Sequence, residues 1–177
     1  MERYSGRPAD CADRLDKEVQ TYDQLDALGI PYLRTDHAPA DTMEVCEDID
    51  RVLDVRICKN LFLCNRQKTK FYLLLMDADK PFKTKDLSKQ LGVARLSFGS
   101  AEDMERLLDL TPGSVSVLAL RNDPDHQVQL VIDKSVLEAE WFGCHPCINT
   151  SSLKLKTAHI VEKFLPAVDH APIVVEL

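Results

Sequence analysis

Two apolar runs, Val55 to Cys64 and Lys70 to Met76, are separated only by the polar, basic stretch Asn65-Arg66-Gln67-Lys68-Thr69. Runs this short and this close predict an antiparallel hairpin, and their near-continuous apolar character predicts burial on both faces. Such a hairpin cannot stand alone, because each face needs a covering layer. The rest of the chain is therefore read as what covers it. Inside the first run sits a polar pair, Lys59-Asn60. A lysine among apolar neighbours is costly unless its stem is buried and its ammonium finds a partner. The plain alternative is an edge-strand lysine that discourages aggregation. The apolar surroundings favour a pocket-lining cation that receives an anionic or carbonyl group.

The flanking segments supply that cover. From Leu15, apolar residues recur at Val19, Tyr22, Leu25 and Leu28, a helical spacing that Gly29 and Pro31 end. Tyr32 to His37 reads as a short strand. Thr42 is a cap for a helix whose acidic first turn suits the helix dipole. Thr84 to Leu91 is a helix stopped by Gly92, Arg95 to Phe98 a short strand, and Ser100 opens a capping-box-like start for a helix to about Leu108. Val115 to Leu120, Gln127 to Ile132, Glu140 to Phe142, Ser152 to Leu155 and Pro172 to Val175 read as strands, with a helix from Thr157 to about Leu165. Strands in runs with irregularly interspersed helices indicate an α+β domain with a mixed, largely antiparallel sheet. Residues 1–14 are expected as an N-terminal extension and 15–177 as one domain, which 177 residues are ample to build.

The second concentration of unusual chemistry is Trp141-Phe142-Gly143-Cys144-His145-Pro146-Cys147-Ile148-Asn149-Thr150. Gly143 permits close backbone approach or a positive φ, and Pro146 fixes the next turn, so His145 between them is held in place. A tight loop of this kind exposes N–H groups suited to a carbonyl or oxyanion. Cys144 and Cys147 invite a redox or zinc reading. The pair lies late in the chain with proline between the thiols, and zinc needs about four ligands; packed small thiols are the better reading, with no metal. His37, His126, His159 and His170 are read as surface or capping residues.

Lys and Arg number 22 and Asp and Glu 29, for a net charge of −7, so any contact with a polyanion must come from a local basic face such as Lys83-Thr84-Lys85 or Lys154-Leu155-Lys156. The polar start of the chain shows no apolar signal segment. No window approaches a membrane span, and six cysteines in such a chain are expected to be reduced thiols in the cytoplasm.

Taken together, Gly29-Ile30-Pro31-Tyr32, Thr42-Met43-Glu44, Lys59-Asn60-Leu61-Phe62-Leu63, Leu96-Ser97-Phe98, Leu110-Thr111-Pro112-Gly113-Ser114-Val115 and Gly143-x-His145-Pro146-x-x-Asn149-Thr150 resemble the YbaK/prolyl-tRNA-synthetase-associated editing domain family, and within it the free-standing prolyl-tRNA deacylases. The resemblance spans Leu15 to Leu177. It implies a single YbaK-like domain, with a partly barrel-like sheet, that hydrolyses the ester of mischarged proline tRNA, chiefly the alanyl ester. It implies no cofactor and no covalent nucleophile, with the terminal ribose 2′-hydroxyl helping to activate water. By the same resemblance, Lys59, Gly143 and His145 are the catalytic candidates, with Asn60, Pro146 and Asn149 as substrate-binding residues beside them. Met43, Val45 and Ile49, in one helix near the site, are substrate-binding candidates for the wall of the pocket, with simple core as the plain alternative. The implied partners are the 3′ acceptor end of aminoacylated proline tRNA and prolyl-tRNA synthetase, with no membrane and no DNA. Cysteinyl or seryl esters, and a non-catalytic protein that binds aminoacyl-tRNA or an amino acid, remain as alternatives.

Overall fold

The structure, a computed structural model, describes residues 1–177. In chain order the elements are β1 (Arg3–Ser5), α1 (Asp16–Ala27), β2 (Leu33–Asp36), α2 (Met43–Leu53), β3 (Lys59–Cys64), β4 (Phe71–Met76), α3 (Thr84–Leu91), β5 (Ser97–Phe98) and α4 (Ala101–Leu108). A 3-10 segment, Val117–Asn122, precedes β6 (Val128–Asp133), α5 (Lys134–Glu138), β7 (Trp141–Cys144) and β8 (Ser151–Lys156). The chain closes with α6 (Thr157–His159), a π turn (Ile160–Phe164), α7 (Leu165–Ala167) and β9 (Ile173–Val175). Pro166, which has no N–H for the helical ladder, stands one residue beyond the π turn, in α7.

The β3–β4 hairpin lies at the centre, with Lys59 opposite Met76 and Cys64 opposite Phe71. β5 pairs antiparallel with β3, while β6 joins β4 and β9 joins β6 in parallel, giving the order β5-β3-β4-β6-β9. A second, wholly antiparallel sheet runs β1-β2-β8-β7. The α+β class and the mixed, largely antiparallel pairing agree with expectation. The barrel-like detail does not: both sheets are open, and the seam between them is one parallel bridge, Ile57 to Gly143.

Strand alternation divides the hairpin's side chains between two compartments. Phe62, Cys64, Phe71, Leu73 and Leu75 enter the large core that the second sheet, α1, α4 and the 3-10 segment enclose. Leu63, Tyr72, Leu74 and Met76 enter a smaller one with Leu87 of α3.

Two elements depart from the sequence reading. Val115 to Leu120, expected as a strand, becomes the 3-10 segment, opened by the Ser116 hydroxyl accepting from the Leu118 N–H at 3.2 Å. Val117 to Leu120 are fully buried, and an apolar run without alternation does not by itself separate a strand from a buried helix. Residues 1–14, expected as a loose extension, place β1 against β2. Arg14 then fastens the following stretch, pairing with Glu18 and Asp36 at 2.9 Å each.

Candidate active site

Gly143 brings the two motifs together. Its carbonyl accepts from the Cys58 N–H at 3.4 Å, and β7 lies alongside residues 56–58. A Cβ at this position would stand 2.8 Å from Ile57 Cδ1 and 3.0 Å from the Arg56 carbonyl oxygen, so close approach is the reason for glycine here.

Beyond this seam opens a cleft of about 680 Å³. Met43, Cys46, Glu47 and Asp50 of α2 form one wall, and Arg56 to Lys59 form the floor. Ala78 and Asp79 close the far side, and Ala40 to Thr42 make the rim. The Thr42 hydroxyl caps α2 by accepting from the Val45 N–H at 3.3 Å, so the positive end of the helix dipole stands at the cleft mouth. Lys59 reaches the Lys80 carbonyl with its ammonium, and that carbonyl is itself anchored. Lys80 Nζ donates to Asp133 Oδ2 at 2.8 Å and to the Leu177 carbonyl at 2.9 Å. The Lys80 ammonium and the Leu177 N–H hold the Asp133 carboxyl below its usual range despite burial.

The acids of this cleft were not read from the sequence. Asp50 accepts from the Ile57 N–H at 3.1 Å and pairs with Arg56 at 3.2 Å, and Arg56 also pairs with Asp79. Burial raises the Asp50 carboxyl above its ordinary range, against the pull of Ile57 and Arg56. The findable signal was the i, i+3, i+4, i+7 row Met43, Cys46, Glu47, Asp50 on one helical face.

The 145–150 loop is held from inside. His145 Nδ1 lies 3.0 Å from the Ser151 carbonyl and 3.1 Å from Ser152 Oγ, and Ser152 Oγ lies 2.9 Å from His37 Nε2. His37 Nδ1 is 2.7 Å from the Ala38 carbonyl. A carbonyl only accepts, so both rings carry their proton on Nδ1, Ser152 donates to His37, and His145 Nε2 keeps a lone pair with no protein partner. Burial pushes both imidazoles below 6.5, with the neighbouring His37 adding to the effect at His145. His37 is thus part of this network rather than a surface residue. His170 is likewise buried, against Asp123 at 3.0 Å.

Asn149 ties the loop to the cleft rim: its Oδ1 accepts from the Ala40 N–H at 2.9 Å and its Nδ2 donates to Asp41 at 2.9 Å. Pro146 is buried beneath it. Cys147 adopts φ 64°, with its thiol against Thr21 at 3.5 Å and Arg121 at 3.6 Å. Burial raises the Cys144 and Cys147 thiols and pushes Cys58 up to about 12, so these thiols are not thiolate nucleophiles. No group of three or more His, Cys, Asp or Glu side chains is gathered for a metal ion.

The structure therefore places Met43 and Lys59 in one cleft, Gly143 at its seam, and Asn149 behind its rim. His145 and Pro146 lie in the adjoining loop. Three residues sit elsewhere. Val45 and Ile49 are on the side of α2 turned from the cleft, with Ile49 buried in the interior. Asn60 points opposite to Lys59, as alternation requires, and donates to the Cys58 carbonyl at 2.9 Å while its buried Oδ1 has no partner.

A family model for the aminoacyl-tRNA editing domain matches residues 37–163. A prolyl-tRNA editing protein of Acetoanaerobium sticklandii is 33% identical over 141 residues, covering 80% of this chain and 86% of that protein. A prolyl-tRNA synthetase associated domain-containing protein of Mus musculus is 30% identical, covering 85% of this chain and 90% of its own. Among solved structures, one assigned as a candidate trans-editing enzyme for prolyl tRNA synthetase superposes with a TM-score of 0.66 at 13% identity, over 92% of this chain and 97% of that one. No helix is long and apolar enough to cross a membrane.

Proposed function

This chain belongs to the aminoacyl-tRNA editing domain family, and from that premise we propose that it hydrolyses the ester of mischarged proline tRNA, with the alanyl ester as its substrate. One observation carries the reading: a single cleft holds the Lys59 ammonium and the positive pole of α2 together with the carboxylates of Glu47 and Asp50. An aminoacyl ester presents a cationic amine and a carbonyl that becomes an oxyanion when attacked. The acids suit the amine, and the positive groups suit the oxyanion.

In this mechanism water adds to the ester carbonyl carbon. The C–O bond to the ribose breaks, and the ribose oxygen leaves with a proton. Lys59 orients the aminoacyl-adenosine end. The thiols of Cys46 and Cys58 are both raised by burial and supply no thiolate, in keeping with a reaction whose nucleophile is water, helped by the ribose 2′-hydroxyl, which takes a proton from the water as it passes its own to the departing ribose oxygen. Selectivity comes from size. A synthetic site built for proline rejects smaller alanine weakly, since one methylene is worth ~1–3 kcal/mol, and a second, smaller pocket corrects the error. Met43 stands on the wall that sets that size.

The decisive experiment is deacylation of proline tRNA carrying alanine, serine, cysteine or proline. Rapid release of alanine with prolyl ester left intact is expected. An alanyl ester that survives while the protein binds it would replace the enzyme with a non-catalytic binder.

A further inference from the structure

Outside the cleft, a basic and aromatic surface lies around α3 and the edge strand β5. Lys83, Lys85, Lys89 and Arg95 surround a groove of about 760 Å³ floored by Phe82 and Val93. None of these four cations makes an ion pair, in a chain whose acids outnumber its bases. Lys85 and Lys89 stand at i and i+4 on one helical face, an arrangement that costs stability unless an anion lies across it. Asp86 is the one acid in the first turn of α3, and it pairs with none of them.

An aromatic pair completes the surface. Phe98 is 64% exposed and meets Phe82 edge to face, with ring centroids 5.9 Å apart. Phe98 lies directly opposite Leu63 of β3, so both side chains project to the same side of the sheet. Alternation puts Leu61 and Lys59 on that side too. From Leu63 to Lys59 is four residues of strand, or about 13 Å at ~3.3 Å per residue. Roughly four stacked nucleotides span that distance at ~3.4 Å each. At the other border, Ala78 and Asp79 line the cleft and Phe82 the groove, three positions further along the chain.

We propose that Phe98 and Phe82 with Lys83, Lys85, Lys89 and Arg95 form a track for single-stranded RNA, which leads the unpaired 3′ tail of the tRNA over the Lys80 to Phe82 segment that covers the buried Leu63, and delivers its end to Lys59. This rests on the reading that the substrate is an aminoacyl-tRNA. An exposed aromatic gives each base a face to stack on, and cations alongside it neutralise the backbone phosphates; together these bind unpaired RNA without reading its sequence. An isolated basic face would suit any polyanion, whereas the aromatic pair on the Lys59 side of the sheet selects an unstacked strand.

The test is fluorescence anisotropy of the full chain with two probes, uncharged proline tRNA and the same tRNA lacking its unpaired 3′ tail. Phe98→Ala is expected to weaken binding of the intact tRNA about 5-fold or more, and to leave the tailless probe unchanged. The combined variant Lys83→Ala/Lys85→Ala/Arg95→Ala is expected to weaken intact tRNA at least about 10-fold, and to lower the log–log salt dependence by about 2. These side chains are exposed, and circular dichroism checks that each variant is folded. Equal weakening of both probes by Phe98→Ala, or unchanged binding of intact tRNA by both variants, overturns the track. Alanyl ester hydrolysis is followed in parallel. Tail-dependent binding with the ester left intact removes the deacylase reading and keeps the track; hydrolysis with binding indifferent to both variants does the reverse.

Discussion

The two sides of the site are built on opposite principles. The 143–150 segment is pinned along its length: Gly143 against Ile57, His145 against Ser151, Cys147 against Thr21 and Arg121, and Asn149 against Ala40 and Asp41. Facing it, the first turn of α2 is open to solvent, with Met43 79% exposed. A fixed side suits the reacting bond, where small displacements are costly. An exposed wall suits selection, because its side chains can change without disturbing the core. The contrast predicts that substitutions in the loop act on stability and rate together, while substitutions on α2 act on choice of substrate.

The sharpest way to break this contrast is at Lys59, which belongs to the floor between the two sides. Lys59→Ala is expected to cut kcat/KM for alanyl ester by ~100-fold with little change in melting temperature, since one donor to a developing oxyanion is commonly worth that much. Full activity of the variant removes Lys59 from the mechanism. Gly143→Ala should destabilise by ~1–3 kcal/mol through overpacking against Ile57 and Arg56, read as a fall of several degrees in thermal unfolding. Met43→Ala should leave stability within ~0.5 kcal/mol of the parent and raise the rate on larger aminoacyl esters relative to alanine. An unchanged ratio across the ester panel would take Met43 out of the selecting wall.

Acid titration separates the sides more gently. His37 and His145 sit below 6.5 in the fold because burial favours their neutral forms. The unfolded chain therefore binds more protons, so their contribution to stability is complete above about 6.5 and declines as pH falls through the folded values. Melting temperatures of the parent and of His145→Gln across that range should converge on acidification. Smallest of all is the expected effect of Cys144→Ser on deacylation, within about 2-fold, because a buried protonated thiol is a small packing group. Loss of activity there would return the thiols to the chemistry.

Much of this was legible in the sequence because the signals are local. The hairpin followed from two apolar runs and a polar turn, the start of α2 from Thr42, and that of α4 from Ser100, whose hydroxyl accepts from the Asp103 N–H at 3.1 Å. The approach of Lys59 and Gly143 follows from their shared unusual chemistry only as a guess, since nothing in either stretch encodes a bridge between residues 57 and 143. What was missed depends on distant partners. β1 exists only because β2 offers an edge. His37 gains its role from Ser152, across a strand pairing no local pattern reveals. Val45 and Ile49 were placed with Met43 by proximity in sequence, yet helical geometry gives the cleft to the 43, 46, 47, 50 row. Asn60 was placed with Lys59 although neighbours in a strand face opposite ways.

β3 is a partition between two compartments, so a scan of single substitutions along it should read as two interleaved experiments. Changes at 59 reach the cleft and those at 61 and 63 the smaller core beside it, while those at 60, 62 and 64 report on the side of the larger core.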